Sequence, residues 1–390
     1  MVRGGQGQPE SPAGQDDKML PGLYIHIPFC LSKCGYCDFY SVTEAEKIPP
    51  FIRSLLKEME MYRGVFDRFD SIYLGGGTPS LLGARQIGDI LDALHRTFLF
   101  SDDTEVTIEA NPGDLSPEAA ESLYAAGIGR INIGVQSFDD GTLALLGRRH
   151  GAKDAISAIE NARRAGFGNV GLDLIYGVPG QDLRSWLETL RRALSFTPEH
   201  LSCYQLTLEP STPLGLRYRS GEIVPPDDDL LYEFFMETSE VLEEAGYVHY
   251  EVSNFARGED YLSRHNCKYW DHTPYLGLGP AAHSFSGARR WWNHRCLDRY
   301  IEETGRNMPP IGGSEILTGE QLRLEALYLG LRTRRGIDLE EFSKRYGCDL
   351  LDEKGDLLRT MEREGLITIT DNHLRPTRAG LAVADSLSTI

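Results

Sequence analysis

The sequence predicts an α/β protein: a partial barrel of six parallel strands, (β/α)6, followed by a mainly helical, winged-helix-like C-terminal domain. Three observations carry this. Six β-rich runs alternate with longer helical segments, polar residues recur near the C-terminal ends of the runs, and the alternation stops after about residue 210. Strand–helix alternation implies parallel strands joined by right-handed crossovers. Six strands suffice for an open relative of the eight-stranded barrel, in which the site lies at the C-terminal ends of the strands.

The runs are LYIHIP (23–28), SIYLGG (71–76), VTIEAN (106–111), RINIGVQS (130–137), NVGLDLIYG (169–177) and HLSCYQLTL (200–208). Between them, FIRSLLKEMEMYRG, RQIGDILDALHRTF, AISAIENARRAGF and LRSWLETLRRAL repeat their apolar residues with helical period. Cys30, Gly76, Glu109, Gln136 and Asp173 each fall at or near the C-terminal end of a run, so this fold brings them to one rim. Turn chemistry accounts for the glycines, which close βα turns anyway. It accounts poorly for Glu109 and Gln136.

Beyond residue 210 a helix is expected at 228–246, then an irregular Gly-, Tyr- and Trp-rich region at 250–295. Residues 318–387 read as three helices, two short strands (LITIT and HLRPT) and a last helix. The expected organisation is a disordered tail (1–20), the partial barrel (21–210), a connecting helix with the aromatic region (211–315) and the winged-helix-like domain (316–390). Such modules often bind DNA, but fold does not fix function. The segment is near charge balance, with one basic cluster, RTRR (332–335), so a lid or a partner surface is expected.

With 41% hydrophobic and 25% charged residues and no run of 18 apolar residues, the chain reads as soluble and globular, without stable membrane insertion. A net charge of −18 argues against a nucleic-acid partner, which needs a basic surface. The first 20 residues lack both the apolar stretch of a signal peptide and the Arg-rich pattern of a transit peptide. A cytoplasmic location is therefore expected, where thiols stay reduced.

CLSKCGYCDF (30–39) holds three of the seven cysteines. By composition, three cysteines at one given spacing are expected about 0.002 times in such a chain, so chance is a poor account. Structural zinc wants four ligands, usually as two pairs. Cys203, Cys267, Cys296 and Cys348 are isolated, and His26, a conceivable fourth ligand, lies within a predicted strand. An iron–sulfur cluster suits a compact thiolate loop, and three cysteines for four irons leave one iron open to a small molecule. Cluster, zinc and a metal-free loop all remain possible from spacing alone.

The loop resembles the CxxxCxxC signature of the radical S-adenosylmethionine (SAM) superfamily, and SIYLGGGTPS (71–80) resembles its glycine-rich SAM motif. YIHIPFC, GGGTP, IEANP, GVQSF, DLIYG and HNCKYW together resemble the oxygen-independent coproporphyrinogen III oxidase group, which includes the HemW heme chaperones; the likeness runs over about residues 20–385. The resemblance implies the six-stranded partial barrel and a 4Fe-4S cluster on Cys30, Cys34 and Cys37. It implies SAM near Tyr24, Gly76, Gly77, Thr78, Glu109, Gln136, Arg148 and Asp173. Glu109 suits an ammonium or ribose hydroxyl, Gln136 and Asp173 the ribose or adenine side, and Arg148 a carboxylate, with Arg149 adjacent as a competitor. It also implies heme as a ligand, with His265 the candidate iron ligand, Tyr269 and Trp270 stacking on the ring, and His283 a second candidate. A heme-accepting protein and an electron donor such as flavodoxin or ferredoxin are the implied partners.

The oxidases carry a further cysteine two residues past the third. Here that position is Phe39, after Asp38. This departure and the HNxxYW stretch match the heme-chaperone branch. The expected function is a heme chaperone that binds cluster, SAM and heme. The alternatives are radical oxidative decarboxylation of coproporphyrinogen III, which the missing cysteine opposes, and a related radical SAM methyltransferase.

Overall fold

The computed structural model describes residues 20–387, so the expected tail lies outside the described residues except for Leu20. The chain runs β1 (Gly22–Ile27), α1 (Ile48–Met61), β2 (Phe69–Gly76), α2 (Ala84–Thr97), β3 (Phe100–Ala110), α3 (Pro117–Ala125), β4 (Arg130–Gln136), α4 (Asp140–Leu146), α5 (Ala152–Ala165), β5 (Asn169–Tyr176), α6 (Leu183–Leu194) and β6 (His200–Gln205). All six expected strands form. β3 begins well before the expected residue 106, because its first residues, FSDDTE, are polar and carry no apolar alternation. Backbone pairing to β2 does not need that alternation.

Neighbouring strands pair in parallel in the order β1-β2-β3-β4-β5-β6. The arc does not close on itself. The chain continues through α7 (Pro213–Arg219), α8 (Asp228–Glu244), β7 (Val248–Glu251), β8 (Asn254–Ala256), α9 (Arg264–Trp270), β9 (Tyr275–Leu278), β10 (His283–Ser286), β11 (Arg289–Asn293), α10 (Leu297–Gly305) and β12 (Ile311–Ile316). β9 takes the free edge of β1 in parallel, and β8 takes that of β6 antiparallel. The result is one mostly parallel 12-stranded sheet. The region 250–295, expected to be irregular, is thus built of short strands and α9. Strands of three to five residues between glycine turns are too short to show a period.

The C-terminal segment holds α11 (Gly319–Gly330), β13 (Ile337–Asp338), α12 (Leu339–Tyr346), α13 (Leu350–Arg363), β14 (Ile367–Thr370) and β15 (His373–Pro376), then two short helical turns. It has its own apolar cluster, with Leu331, Phe342, Leu358 and Leu374 at its centre. No described helix is long and apolar enough to cross a membrane.

The two faces of the arc differ in chemistry, and that difference makes the site. Side chains alternate along each strand. Leu23, Ile25, Ile72, Leu74, Ile108, Ile131, Ile133, Leu172 and Leu201 point to one side, where α1–α6 cover them in the main apolar core. The opposite side carries Tyr24, His26, Ser71, Tyr73, Thr107, Glu109, Arg130, Asn132, Gln136, Asp173, His200 and Ser202. A parallel sheet covered on both faces is usually apolar on both. Here the concave face is polar from end to end.

Candidate cofactor site

The cysteine loop leaves the C-terminal end of β1 and is tied down by its backbone. The Cys30 N–H donates to Val42 O at 2.9 Å, and the Gly35 N–H donates to Leu146 O at 3.0 Å. Leu146 ends α4, whose N-cap Asp139 accepts from the Thr142 N–H at 2.7 Å. Gly147 follows with φ of 72°, and a Cβ there would lie 3.0 Å from the Gly35 nitrogen. Only glycine satisfies both the left-handed turn and that close approach.

Cys30, Cys34 and Cys37 are free and half-buried. Two of the sulfurs accept hydrogen bonds: Cys30 Sγ from Thr78 Oγ1 at 3.4 Å and Cys34 Sγ from Arg148 at 3.3 Å. Burial pushes the Cys37 thiol up, and the neighbouring Cys34 and Cys30 add to this. Metal binding would displace the proton that burial holds on Cys37, with the Arg148 guanidinium lying against the Cys34 sulfur. Among the described residues no three His, Cys, Asp or Glu side chains surround a single ion position. His26 is engaged elsewhere: Nε2 lies 2.8 Å from Tyr40 O and Nδ1 lies 3.1 Å from the Tyr24 hydroxyl. Burial lowers its pKa to about 4, so the ring is neutral; Nε2–H donates to the carbonyl and Nδ1 accepts from Tyr24.

The glycine-rich turn lies against this loop. The Gly77 N–H donates to Ile27 O and the Thr78 N–H to Phe29 O, both at 2.8 Å, continuing the β1–β2 ladder past the strand ends. A Cβ on Gly77 would lie 2.7 Å from Phe29 O. The glycine therefore seats the cysteine loop on the β2 turn, rather than only opening room for a ligand.

Glu109, near the end of β3, accepts from the Tyr73 hydroxyl at 2.9 Å and from the Gly76 N–H at 3.1 Å. Burial, with Asp173 adding like charge, raises its pKa to about 7. Burial likewise lifts Asp173 to about 6, against a Ser202 hydrogen bond and the Arg130 and Arg148 charges. Gln136 is buried, with a left-handed φ of 66° at a register shift between β4 and β5. That backbone costs a non-glycine residue roughly 1 kcal/mol or more and is a common mark of a functional position.

The two adjacent arginines take different protein partners. Arg149 pairs with Asp114, while Arg148 reaches Cys34 Sγ, Tyr36 and, at 2.8 Å, Gly134 O. Arg148 has no protein carboxylate among its bonding partners, and its Nε is buried without one. Thr107 Oγ1, Arg130 Nε, Asn132 Oδ1 and His200 Nδ1, all on the concave face, are likewise buried and unpaired among the described residues. Buried polar atoms are normally satisfied. Of these atoms only Arg148 Nε belongs to a side chain that touches a thiol; the others lie further along the concave face, toward the N-terminal ends of the strands.

Tyr73 and Ser202 were missed by the sequence reading. The alternation of β2 would have placed Tyr73 on the face of Gly75. Ser202 carried no signal of its own.

The structure does not bring the HNxxYW residues to this rim. α9 lies at the opposite, N-terminal end of the arc. His265 is 1% exposed, with Nδ1 at 3.1 Å from Ser71 Oγ and Nε2 at 2.9 Å from the Tyr269 hydroxyl. Its ring sits among those of Tyr24 and Tyr73, and burial lowers its pKa to about 3. Both nitrogens are engaged, so in this arrangement iron ligation by His265 requires breaking a buried contact. Tyr269 is half-buried, and Trp270 lies under the Arg332 guanidinium at 5.7 Å. His283 is exposed and stacks on Trp292.

Comparison with known proteins agrees with this architecture. The radical SAM superfamily profile matches residues 24–193 and the HemN C-terminal domain profile residues 317–383. The heme chaperone HemW of Mycobacterium tuberculosis (strain ATCC 25618 / H37Rv) is 38% identical over 86% of this chain and 90% of the relative. HemW of Bacillus subtilis (strain 168) is 34% identical over 93% and 96%. The mitochondrial radical S-adenosyl methionine domain-containing protein 1 of Mus musculus is 36% identical over 98% and 89%. Coproporphyrinogen III oxidase (HemN) of Escherichia coli superposes with a TM-score of 0.82 at 23% identity, covering 95% of this chain and 89% of that one. The chain belongs to the family of the HemW proteins, within the radical SAM superfamily.

Proposed function

We propose that the chain is a heme chaperone: Cys30, Cys34 and Cys37 hold a 4Fe-4S cluster, the concave face beside them holds SAM, and heme is cargo passed to an acceptor protein. One observation carries the choice within the group. Phe39 is 70% exposed on the cysteine loop, where the oxidases place another thiol. The HemW names of relatives at 34–38% identity support the same reading.

When bound, the cluster supplies a single electron for reductive cleavage of SAM. The rest is done by this chain's residues. Thr78 and Arg148 donate to the sulfurs and offset their negative charge. The Glu109 carboxylate, already held by Tyr73 and Gly76, takes the ammonium of SAM when ionised. Gln136 and Asp173 bond its ribose and adenine side, and Tyr24 lies beside the methionine part. The half-buried loop leaves one side open to an electron donor of the flavodoxin or ferredoxin class. The cytoplasm is the proposed location.

The test is anaerobic reconstitution followed by hemin titration and a decarboxylation assay on the same sample. Near-stoichiometric heme binding without vinyl product is expected. Catalytic decarboxylation of coproporphyrinogen III would replace the chaperone reading with the oxidase one.

A further inference from the structure

A cavity of about 390 Å³ lies away from the rim, between β9–β11 and α11. Its walls include the rings of Tyr275, Phe285 and Tyr328, and its polar groups include His272, Arg290 and Glu325. A heme needs a flat apolar slot for its ring, a nitrogen for its iron and a cation for its carboxylates. His265 offers no open nitrogen, since Ser71 and Tyr269 engage both. His272, two residues past the HNxxYW stretch, lines this cavity.

The His272 contacts are looser than those of His265. Nδ1 lies 3.3 Å from the Tyr346 hydroxyl, and Nε2 lies 3.3 Å from Glu325 Oε2. Burial lowers its pKa, so the ring is the neutral form that ligates metal. Its ring lies 5.4 Å from that of Phe285. Arg290 sits over the same Phe285 ring at 6.0 Å and donates to Glu325 Oε2 at 2.7 Å, with Glu315 at 3.3 Å. One carboxylate oxygen of Glu325 therefore occupies both the cation and the imidazole.

We propose that this cavity is the heme seat, with His272 as iron ligand, Arg290 as partner of a heme carboxylate, and Glu325 as the gate. Entry exchanges one carboxylate for another on Arg290, and the same displacement frees Nε2 of His272. Glu325 lies on α11, whereas Arg290 lies on β11 and His272 just before β9. Heme entry thus loosens the tie between the sheet and the C-terminal helices. The volume is near the lower end of the range of roughly 300–1,000 Å³ for small-molecule pockets. One side of a porphyrin remains in solvent, which suits a cargo that must be handed on. The proposal rests on the chaperone reading.

The full-length chain is titrated with hemin and, in parallel, with iron-free protoporphyrin IX, following absorbance. His272→Gln, which keeps a polar side chain, is expected to weaken hemin at least about tenfold and change the iron-ligand bands, leaving iron-free porphyrin within about twofold. Glu325→Gln is expected to tighten hemin several-fold, and Arg290→Gln to weaken both ligands. Hemin binding by His272→Gln equal to that of wild type overturns the cavity assignment. So does selective loss of hemin by His265→Gln with His272→Gln unchanged. Wild-type protein that binds no hemin overturns the chaperone reading itself, so the two failures are told apart.

Discussion

At the strand rim, three thiols, two carboxylates and an arginine face one another with bonding capacity left over: one Arg148 nitrogen has no partner among the described residues, and Glu109 and Asp173 are raised toward neutrality. At the other end of the same concave face, His265 has both nitrogens bonded, and neighbouring Lys268 is held by Asp70 at 2.7 Å and Leu20 O at 2.7 Å. Both regions are rich in residues that hold cofactors. The difference lies in the imidazole and the thiols: both nitrogens of His265 are bonded within the fold, although Trp270 Nε1 beside it is buried without a partner among the described residues, whereas the three thiols face two carboxylates raised toward neutrality.

The largest effect separating the two regions is at the loop. Alanine at Cys30, Cys34 or Cys37 should abolish bound iron and sulfide in reconstituted protein while the melting temperature of the apo-protein stays near wild type. Retained iron in any one variant removes that thiol from the ligand set.

His265→Ala should do the reverse. It removes a buried ring and two hydrogen bonds, so a loss of about 3 kcal/mol is expected in chemical denaturation, with iron content preserved. A stable variant would mean that α9 does not close the floor of the arc.

The third test uses pH. SAM affinity should fall as pH drops through about 7, because Glu109 protonates there and loses its attraction for an ammonium. Glu109→Gln should bind more weakly and lose that dependence. The stability effect has the opposite sign. A carboxyl raised from 4.5 to about 7 contributes stability below pH 4.5 and loses it as pH rises through 7, so the ligand-free glutamine variant should be less pH-sensitive over that window. Equal slopes for both proteins would assign the titration elsewhere.

The smallest effect is at Thr78. Replacing it with Val removes one donor to Cys30 Sγ and should make the cluster potential more negative by about 40 mV, the equivalent of one hydrogen bond of ~1 kcal/mol. An unchanged potential in anaerobic redox titration would mean the hydroxyl does not bond the sulfur in the loaded protein.

Much of the rim was legible because its signals are local. CLSKCGYC is one loop, GGGTP one turn, and Glu109, Gln136 and Asp173 each sit where a strand ends. What was not legible depends on which side chain meets which. Arg148 and Arg149 are neighbours with the same chemistry, and only the packing of α4 against the loop sends one to Cys34 and the other to Asp114. Tyr73 was hidden inside an apolar run. HNCKYW suggested an open imidazole, whereas α9 turns that ring inward onto Ser71.

By itself, then, the sequence determined the alternation of strands and helices, the parallel order that follows from it, and the cluster of residues at the strand ends. These depend on period, spacing and turn chemistry, which act over a few residues. Only the tertiary structure decided that β8 and β9 take the edges of the open arc, that both nitrogens of His265 are bonded, and that His272, Arg290 and Glu325 line one cavity. Those facts depend on contacts between residues far apart in the chain, and no local pattern encodes which partner will have used up a nitrogen or a charge.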